Sequence, residues 1–217
     1  MREKYTQEEI EQRLLKNKLK RSNRDALRFA YLVPGQTWPA ELTWLFYAIG
    51  LRSTKHAEIG AWCGRSLIPV AAGMQMNEGG TIWAVDNFEL TPEHDENEQW
   101  VKSVLMATID ECHRLFTDVE IILVESDSLQ ATSAIDSKLD TCFIDASHHY
   151  AEVAADIQLW STMLTDDGLL CGHDYWAVHS GVMDAVNEFV PDFEVARKTR
   201  IWSSDKRKDI EDDDIPS

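Results

Sequence analysis

The chain has 217 residues, of which 44% are hydrophobic and 27% charged, a composition typical of one globular domain. Its net charge is −17, because 38 Asp and Glu outnumber 21 Lys and Arg. So acidic a surface repels phosphate backbones, which argues against a nucleic-acid partner. The sequence contains neither an apolar run long enough to cross a bilayer nor the apolar core of a signal peptide at its start, so no membrane partner is expected.

The first 50 residues predict a separate helical region. Residues 1–30 hold nine Lys and Arg against five Asp and Glu, although the rest of the chain is strongly acidic. Helical composition extends over about 6–20 and 22–31, and Pro39 and Gly50 mark the start and the end of a third helix. We expect this region to shape an acceptor site or to mediate association into a homo-oligomer.

From residue 56 onwards, short apolar runs alternate with helical segments. The runs predict buried strands at 57–60, 81–85, 119–124, 141–144 and 168–171. The segments between them predict helices at about 66–76, 96–115, 127–134, 149–164 and 178–189. This alternation predicts a doubly wound, Rossmann-like α/β domain over residues 51–205, with a mostly parallel sheet and helices on both faces.

The end of the chain departs from the alternating pattern. Residues 193–202 predict two short strands joined by a turn, an antiparallel C-terminal hairpin at the edge of the sheet. Residues 206–217 are too charged to pack and predict a disordered tail.

The four cysteines are isolated from one another in the sequence. None forms the C-x-x-C spacing of a zinc or redox site; they are Cys63, Cys112, Cys142 and Cys171. Buried thiols that stay reduced are the expectation, which predicts a cytoplasmic protein.

Two glycines lie in the turn after the first strand. Gly60 and Gly64 allow the chain to turn tightly, and the amides of a helix that begins near Ser66 would follow. This geometry suits a ligand pressed against the backbone, but an ordinary strand–helix turn explains it equally well. The spacing is not G-x-G-x-x-G, which argues against a dinucleotide-dependent dehydrogenase.

Acidic and hydroxyl residues follow the second and third strands. Asp86 lies 26 positions after Gly60 and could accept both hydroxyls of a ribose. Ser126 and Asp127 follow the third strand. Residues 86–98 hold six acidic residues and neither Lys nor Arg, so they are either a solvated loop with a helix start or a lid over the site.

The sequence FIDASHHY, residues 143–150, places Asp145, His148 and His149 after the fourth strand. His173 and Asp174 follow the fifth strand. Because neighbouring strands lie about 4.8 Å apart, these side chains should converge on one crevice, except His149, which should face solvent. The cluster could be catalytic, could bind a metal, or could simply cap a helix.

These motifs together resemble class I S-adenosylmethionine-dependent methyltransferases, in particular methyltransferase family 24, a small-molecule O-methyltransferase-like group. The matching sequence segments lie between about residue 57 and residue 189, in the same order as in the family: AEIGAWCGRS, IWAVDNF, FIDASHHYAEVAADIQLW, LLCGHDYW and GVMDAVNEF. The resemblance implies a seven-stranded sheet whose final strand is antiparallel.

The resemblance also implies a binding site for S-adenosylmethionine. Glu58 and the two glycines would pack against the methionine part of the cofactor, Asp86 would hold the ribose hydroxyls, and Ser126 and Asp127 would contact the adenine. The predicted cofactor-binding residues are Glu58, Gly60, Ala61, Gly64, Ser66, Asp86, Asn87, Ser126, Asp127 and Asp145.

The chain differs from the catechol-type members of this class in two ways, in the residues of the metal site and in the catalytic base. In those relatives an aspartate after the fourth strand and an Asp-Asn pair after the fifth hold a metal; Asp145 and Asp174 match, but Tyr175 replaces the asparagine. His173 could supply the missing ligand, so the predicted metal residues are Asp145, His173 and Asp174, with Mg²⁺ or Mn²⁺ as the candidate ion. His148 stands where the catalytic lysine would be.

The sequence therefore predicts O-methylation of a small-molecule hydroxyl. The catalytic residues would be His148 as general base, since an unperturbed imidazole has a pKa of about 6.5, and Asp145 as its orienting group or as a metal ligand. Two alternatives stay open: a catalytically silent binding or scaffold protein on the same fold, and another enzyme that uses a nucleoside cofactor.

Overall fold

The computed structural model describes residues 7–89 and 97–204. Most of the acidic segment 86–98, predicted as a solvated loop or a lid, and all of the predicted tail at 206–217 lie outside the described residues. Within the described ranges, each helix is too short or too polar to cross a lipid bilayer.

The N-terminal region is helical, as predicted, but its first two predicted helices are one. Helix α1 extends over Gln7–Ala30, and α2 (Pro39–Trp44) continues directly into a π-helical turn at Leu45–Gly50. The predicted break near residue 21 is wrong, because the serine and asparagine there weaken a helix without removing a backbone donor.

Strands and helices then alternate in the predicted order. The strands are β1 (Lys55–Ile59), β2 (Gly80–Asp86), β3 (Val119–Glu125), β4 (Leu139–Ile144), β5 (Leu164–Gly172), β6 (Glu194–Val195) and β7 (Trp202–Ser203). The helices are α3 (Leu67–Met76), α4 (Glu98–Leu115), α5 (Ser128–Ala131, followed by a 3₁₀ turn at Thr132–Ala134), α6 (Tyr150–Ser161) and α7 (Ser180–Phe189).

The strands form one sheet in the order β3-β2-β1-β4-β5-β7-β6. The first five strands are parallel, and β7 is antiparallel to both β5 and β6. This arrangement confirms the predicted Rossmann-like, seven-stranded sheet with an antiparallel C-terminal hairpin. The strand order reverses between β1 and β4, and ligands in such sheets bind at the carboxyl ends of the strands beside this point.

Two apolar layers cover the sheet, one on each face. Successive residues of β4 alternate between them: Phe143 belongs to the layer formed with α1 to α4, whereas Cys142 and Ile144 belong to the layer formed with α6 and α7. In the second layer, Val153, Ile157 and Trp160 are buried along α6, at intervals of four and three residues that place them on one face of the helix. A sheet covered on both faces explains why its central strands are almost continuously apolar.

Strand β5 begins four residues before its predicted start. Thr165, Asp166 and Asp167 extend the strand but are exposed, so no apolar run marks them. At its other end, Gly172 packs against the ring of Trp202, which lies 2.5 Å from where a Cβ on this glycine would be. The four cysteines are free and buried, as predicted.

Candidate active site

The turn after β1 packs closely against the ends of β2 and β4. The amides of Gly60 and Ala61 donate to the Val85 carbonyl at 2.9 and 3.2 Å. Gly60 has a φ of +89°, and a Cβ there would overlap the backbone of Asp145. Gly64, with a φ of +83°, packs against α4. Packing within the protein thus requires both glycines, with or without a ligand.

Glu58 lies fully buried near the end of β1. Its Oε1 accepts a hydrogen bond of 2.5 Å from the Ser66 hydroxyl at the start of α3, whereas Oε2 has no hydrogen-bond partner among the described residues. Burial, opposed in part by the Ser66 hydrogen bond, raises the pKa of Glu58 to about 8. A buried acceptor without a partner is suited to a donor group of a bound ligand.

The carboxylate of Asp86 is held by backbone amides. Oδ2 accepts from the Trp62 amide at 2.8 Å, and Oδ1 accepts from the Phe88 amide at 2.7 Å. Burial raises the pKa of Asp86, and these amide hydrogen bonds oppose the rise. Each carboxylate oxygen keeps a second lone pair, so the fixed group could also accept from two ribose hydroxyls.

Three other predicted cofactor residues take part in local turns. The Asp127 side chain caps α5, accepting at 3.0 Å from the amide two residues ahead. The Asn87 side chain accepts at 3.0 Å from the amide two residues ahead of it. The Ser126 amide donates to the Asp86 carbonyl at 3.2 Å, which joins the ends of β3 and β2. The predicted contacts with adenine stay predictions.

The ends of β4 and β5 bring the four residues predicted for catalysis or metal binding into one crevice. His148 Nε2 lies 2.9 Å from Asp174 Oδ2. His173 Nδ1 lies 3.2 Å from Asp174 Oδ1 and 3.6 Å from Asp145 Oδ1. Asp174 is therefore the carboxylate that orients His148. Asp145, which was predicted for that role, contacts His173 instead. The backbone of Asp174 has a φ of +57°.

His173 is buried among three carboxylates. In addition to Asp174 and Asp145, Glu41 approaches, with Oε1 3.1 Å from His173 Nε2. Burial acts to lower the pKa of His173, but Asp145, Asp174 and Glu41 together raise it to about 10. The three carboxylates thus favour the imidazolium form of the ring.

The two aspartates of the crevice respond in opposite directions. Burial acts to raise the pKa of Asp174, but hydrogen bonds from His148 and His173 hold it well below its usual range. Burial raises the pKa of Asp145, and His173 opposes the rise. Asp174 therefore stays ionised across the physiological range, which is the state that can orient a histidine base.

The other two histidines near the crevice differ from each other. His179, before α7, stacks on His148 with ring centroids 3.8 Å apart, and its Nε2 lies 3.9 Å from Asp174 Oδ1. A lone histidine in a loop gave no signal of this contact in the sequence. His149 is exposed at the N-cap of α6, in agreement with the expectation that it faces solvent.

Two residues remote in sequence complete the crevice and were not predicted. Glu41 of α2 is fully buried and accepts from the Arg200 backbone amide at 3.0 Å. Arg200, in the turn between β6 and β7, places Nη1 3.2 Å from Asp174 Oδ1. A lone charge within an apolar helix could have marked Glu41, but Arg200 lies in a turn of mixed charge that offers no such signal.

The predicted metal residues cluster, but their contacts do not suit Mg²⁺ or Mn²⁺. Donor atoms of Asp145, His173 and Asp174 lie within 4.8 Å of one another. Nδ1 of His173, the nitrogen that faces Asp145 and Asp174, would have to lose its proton to bind a metal. The Arg200 guanidinium contacts Asp174 Oδ1. Tyr175, at the position of the asparagine ligand, donates its hydroxyl to a residue of α7.

The strand order, the glycine turn after β1 and the acidic residue at the end of β2 define a class I S-adenosylmethionine-dependent methyltransferase. A family model described as a methyltransferase domain matches residues 57–175, more than half of the chain. The chain belongs to this family, methyltransferase family 24, which confirms the resemblance found in its sequence. No curated protein sequence matches the chain.

Solved structures share this fold. A Staphylococcus aureus protein assigned to the caffeoyl-CoA O-methyltransferases has 14% identity and a TM-score of 0.59, covering 84% of this chain and 90% of its own. A Bacillus cereus O-methyltransferase in complex with S-adenosylhomocysteine has 16% identity and a TM-score of 0.56, with 84% and 89% covered. The S-adenosylhomocysteine-bound Podospora anserina methyltransferase PaMTH1 has 11% identity and a TM-score of 0.55, with 94% and 97% covered. At these identities the likeness shows the fold alone.

Proposed function

We propose that the chain transfers a methyl group from S-adenosylmethionine to a hydroxyl of a small molecule. The observation that carries the proposal is the His148–Asp174 hydrogen bond in the crevice at the ends of β4 and β5, within a methyltransferase-family chain. The Bacillus cereus structural neighbour is an O-methyltransferase, and it holds the demethylated cofactor. This supports both the cofactor and the type of acceptor.

The ends of β1 and β2 would hold the cofactor. Glu58 offers a buried carboxyl oxygen without a partner in the described structure, and the positive amino group of the methionine part would favour its carboxylate form, which accepts hydrogen bonds. Asp86 offers a carboxylate fixed for two ribose hydroxyls, and Ser126 and Asp127 lie at the neighbouring strand end for the adenine. When bound, S-adenosylmethionine supplies a methyl group on a positively charged sulfur. The acidic strand ends favour such a cationic ligand.

His148 is the residue that would take the proton of the acceptor hydroxyl. When Asp174 accepts from Nε2, the neutral form of the ring carries its lone pair on Nδ1, and that nitrogen would accept the proton. Asp174 would then stabilise the imidazolium that forms, because it stays ionised. Asp145 lies beside His173 and stays a predicted site residue. Mg²⁺ and Mn²⁺ are not part of this proposal, because the donor set does not fit them.

The acceptor would bind between the N-terminal region and the ends of β4 and β5. Glu41 of α2 forms part of the crevice, and Trp38 presents a half-exposed ring at its rim.

Self-association through α1, on which Leu14 and Leu15 are exposed, is a further part of the proposal. The four buried free cysteines support a reducing compartment such as the cytoplasm.

Calorimetric titration with S-adenosylmethionine and S-adenosylhomocysteine tests the proposal. We expect saturable binding of both, and Asp86→Ala should weaken it about tenfold to a hundredfold by removing charged acceptors of two hydrogen bonds. Asp166→Ala, an exposed aspartate at the far end of β5, is the matched control. Failure of both ligands to bind would contradict the proposal and favour a silent scaffold or an enzyme that uses another nucleoside.

The role of the base is tested by His148→Ala. We expect turnover, measured as release of S-adenosylhomocysteine with hydroxylated acceptors, to fall about 10²-fold or more, the usual contribution of a general base. Cofactor affinity should change little. His149→Ala, the exposed neighbour, should retain normal turnover. Unchanged turnover in His148→Ala would remove His148 from the mechanism.

A further inference from the structure

Arg200 reaches into the crevice from the turn between β6 and β7. Its Nη1 lies 3.2 Å from Asp174 Oδ1, its Nη2 donates to the Gln36 carbonyl at 3.0 Å, and its Nε lies 3.4 Å from Glu41 Oε1. The guanidinium also lies 4.6 Å from the centroid of the Trp38 ring. Only 12% of the side chain is exposed, so these contacts fix its position.

The crevice concentrates negative charge that must be neutralised. Glu41, Asp145 and Asp174 all lie within 3.6 Å of His173. Gathering three carboxylates away from water is costly unless cations accompany them. In the catechol-type relatives a metal ion would supply that charge; in this chain the guanidinium of Arg200, which is always charged, stands among the carboxylates.

Asp174 Oδ1 has no lone pair left for a metal ion, because two nitrogens already approach it. Oδ1 lies 3.2 Å from both Arg200 Nη1 and His173 Nδ1, and Oδ2 lies 2.9 Å from His148 Nε2. A divalent ion bound to Oδ1 would stand beside a guanidinium, and the two positive charges would repel each other strongly in a partly buried site. The crevice therefore has room for either the guanidinium or the ion.

We propose that Arg200 takes the place of a divalent metal ion in this crevice, so that the crevice binds neither Mg²⁺ nor Mn²⁺. The guanidinium holds one oxygen of Asp174 and leaves the other directed at His148. Arg200 is thus a positioning residue for the base. The part of this inference that concerns the base rests on the proposed function, whereas the exclusion of metal does not.

Binding of Mn²⁺, followed by the loss of its free-ion signal in electron paramagnetic resonance, tests the exclusion. Wild-type protein should leave the signal unchanged. Arg200→Met should free Asp174 Oδ1 and raise the affinity for Mn²⁺ at least about tenfold, the usual scale of changes next to metal ligands. Lys198→Met removes a positive charge from an exposed position of the same turn and should behave as wild type.

Two results would overturn the proposal. One is stoichiometric Mn²⁺ binding by the wild type that Asp174→Asn abolishes. The other is a folded Arg200→Met protein that gains no affinity for Mn²⁺, because Arg200 would then not be what excludes the ion. If Arg200→Met fails to fold, Arg200→Lys replaces the fork-shaped group by a single ammonium, and at least partial Mn²⁺ binding is expected; none would count against the proposal.

The positioning role is tested with the enzyme assay. Wild-type turnover should be unaffected by a chelator, whereas Arg200→Met should lower turnover about tenfold or more with little change in affinity for S-adenosylmethionine. Chelator-sensitive wild-type turnover would overturn the inference. If S-adenosylmethionine does not bind at all, the proposed function fails, but the Mn²⁺ measurement still decides whether Arg200 excludes a metal.

Discussion

Glu58 combines full burial with one carboxylate oxygen that has no partner in the described structure, so its charge differs between the folded and the unfolded chain. An exposed glutamate has a pKa of about 4.3. In the folded protein the pKa of Glu58 is raised to about 8. Between these values the folded protein keeps a proton that the unfolded chain has released. The contribution of Glu58 to stability therefore falls as the pH rises through this interval.

We predict that Glu58→Gln removes this part of the pH dependence. In urea denaturation without cofactor, the free energy of unfolding of the wild type relative to the variant should decline by about 1 kcal/mol or more between about pH 5 and about pH 8, since one pKa unit corresponds to about 1.4 kcal/mol. Glu120→Gln, at an exposed position of β3, is the control and should follow the wild type. Parallel curves for Glu58→Gln and wild type would show that Glu58 ionises normally in the fold.

At the scale of elements, apolar runs made the parallel strands predictable. Strands β1, β2 and β4 are marked by such runs because both faces of the sheet are covered there. The edge strand β3 also has an apolar run, although alternate residues of it are exposed. The same runs located Asp145 and Asp174, because polar residues that follow buried strands come together at one edge of a parallel sheet. The polar start of β5 was missed for the converse reason: it is exposed and carries no apolar signal.

The residues that the sequence did not predict reach the crevice by tertiary packing. Glu41 arrives on α2, from outside the alternating unit, and Arg200 arrives on the hairpin turn, 159 positions later in the chain. Local pattern contains no information on such a pairing, because it depends on how α2 and the hairpin meet over β5. The two partners of the predicted residues were therefore visible only in the fold.

Helix α7 can approach the His148 turn because its second residue is a glycine. A Cβ on Gly181 would overlap the His148 carbonyl and lie 2.7 Å from the Tyr150 amide. Replacing a helical glycine by alanine usually stabilises a protein by about 0.5–1 kcal/mol. Here the added methyl would meet backbone that cannot move without displacing His148.

We predict that Gly181→Ala lowers both stability and turnover. Overpacking against backbone should reduce the free energy of unfolding by about 1–3 kcal/mol. Because His148 is displaced, the turnover of the variant, measured as release of S-adenosylhomocysteine, should also fall. Ser180→Ala, at the exposed preceding position, is the control for both measurements. A variant that is more stable than wild type with normal turnover would show that α7 does not position His148.

For the molecule as a whole, repulsion between like charges opposes folding. The net charge is −17, and the excess of acidic residues lies after the first 30 residues. Surface carboxylates repel one another through water and are screened by salt, whereas the crevice pair is shielded: the side chains of Arg200 and Asp174 are only 12% and 13% exposed. Salt should therefore weaken the repulsion more than it weakens this attraction.

We predict that salt stabilises the protein at neutral pH. Raising NaCl to about 0.3 M shortens the screening length to below 10 Å, and the Tm should rise by roughly 2–4 °C, equivalent to about 1 kcal/mol for a chain of this size. Near the sequence isoelectric point of about 4.7 the net charge vanishes, so the same salt step should leave the Tm almost unchanged. Differential scanning calorimetry at both pH values makes the comparison. A Tm that falls with salt at neutral pH would mean that ion pairs such as Arg200–Asp174, rather than repulsion, dominate the electrostatics of the fold.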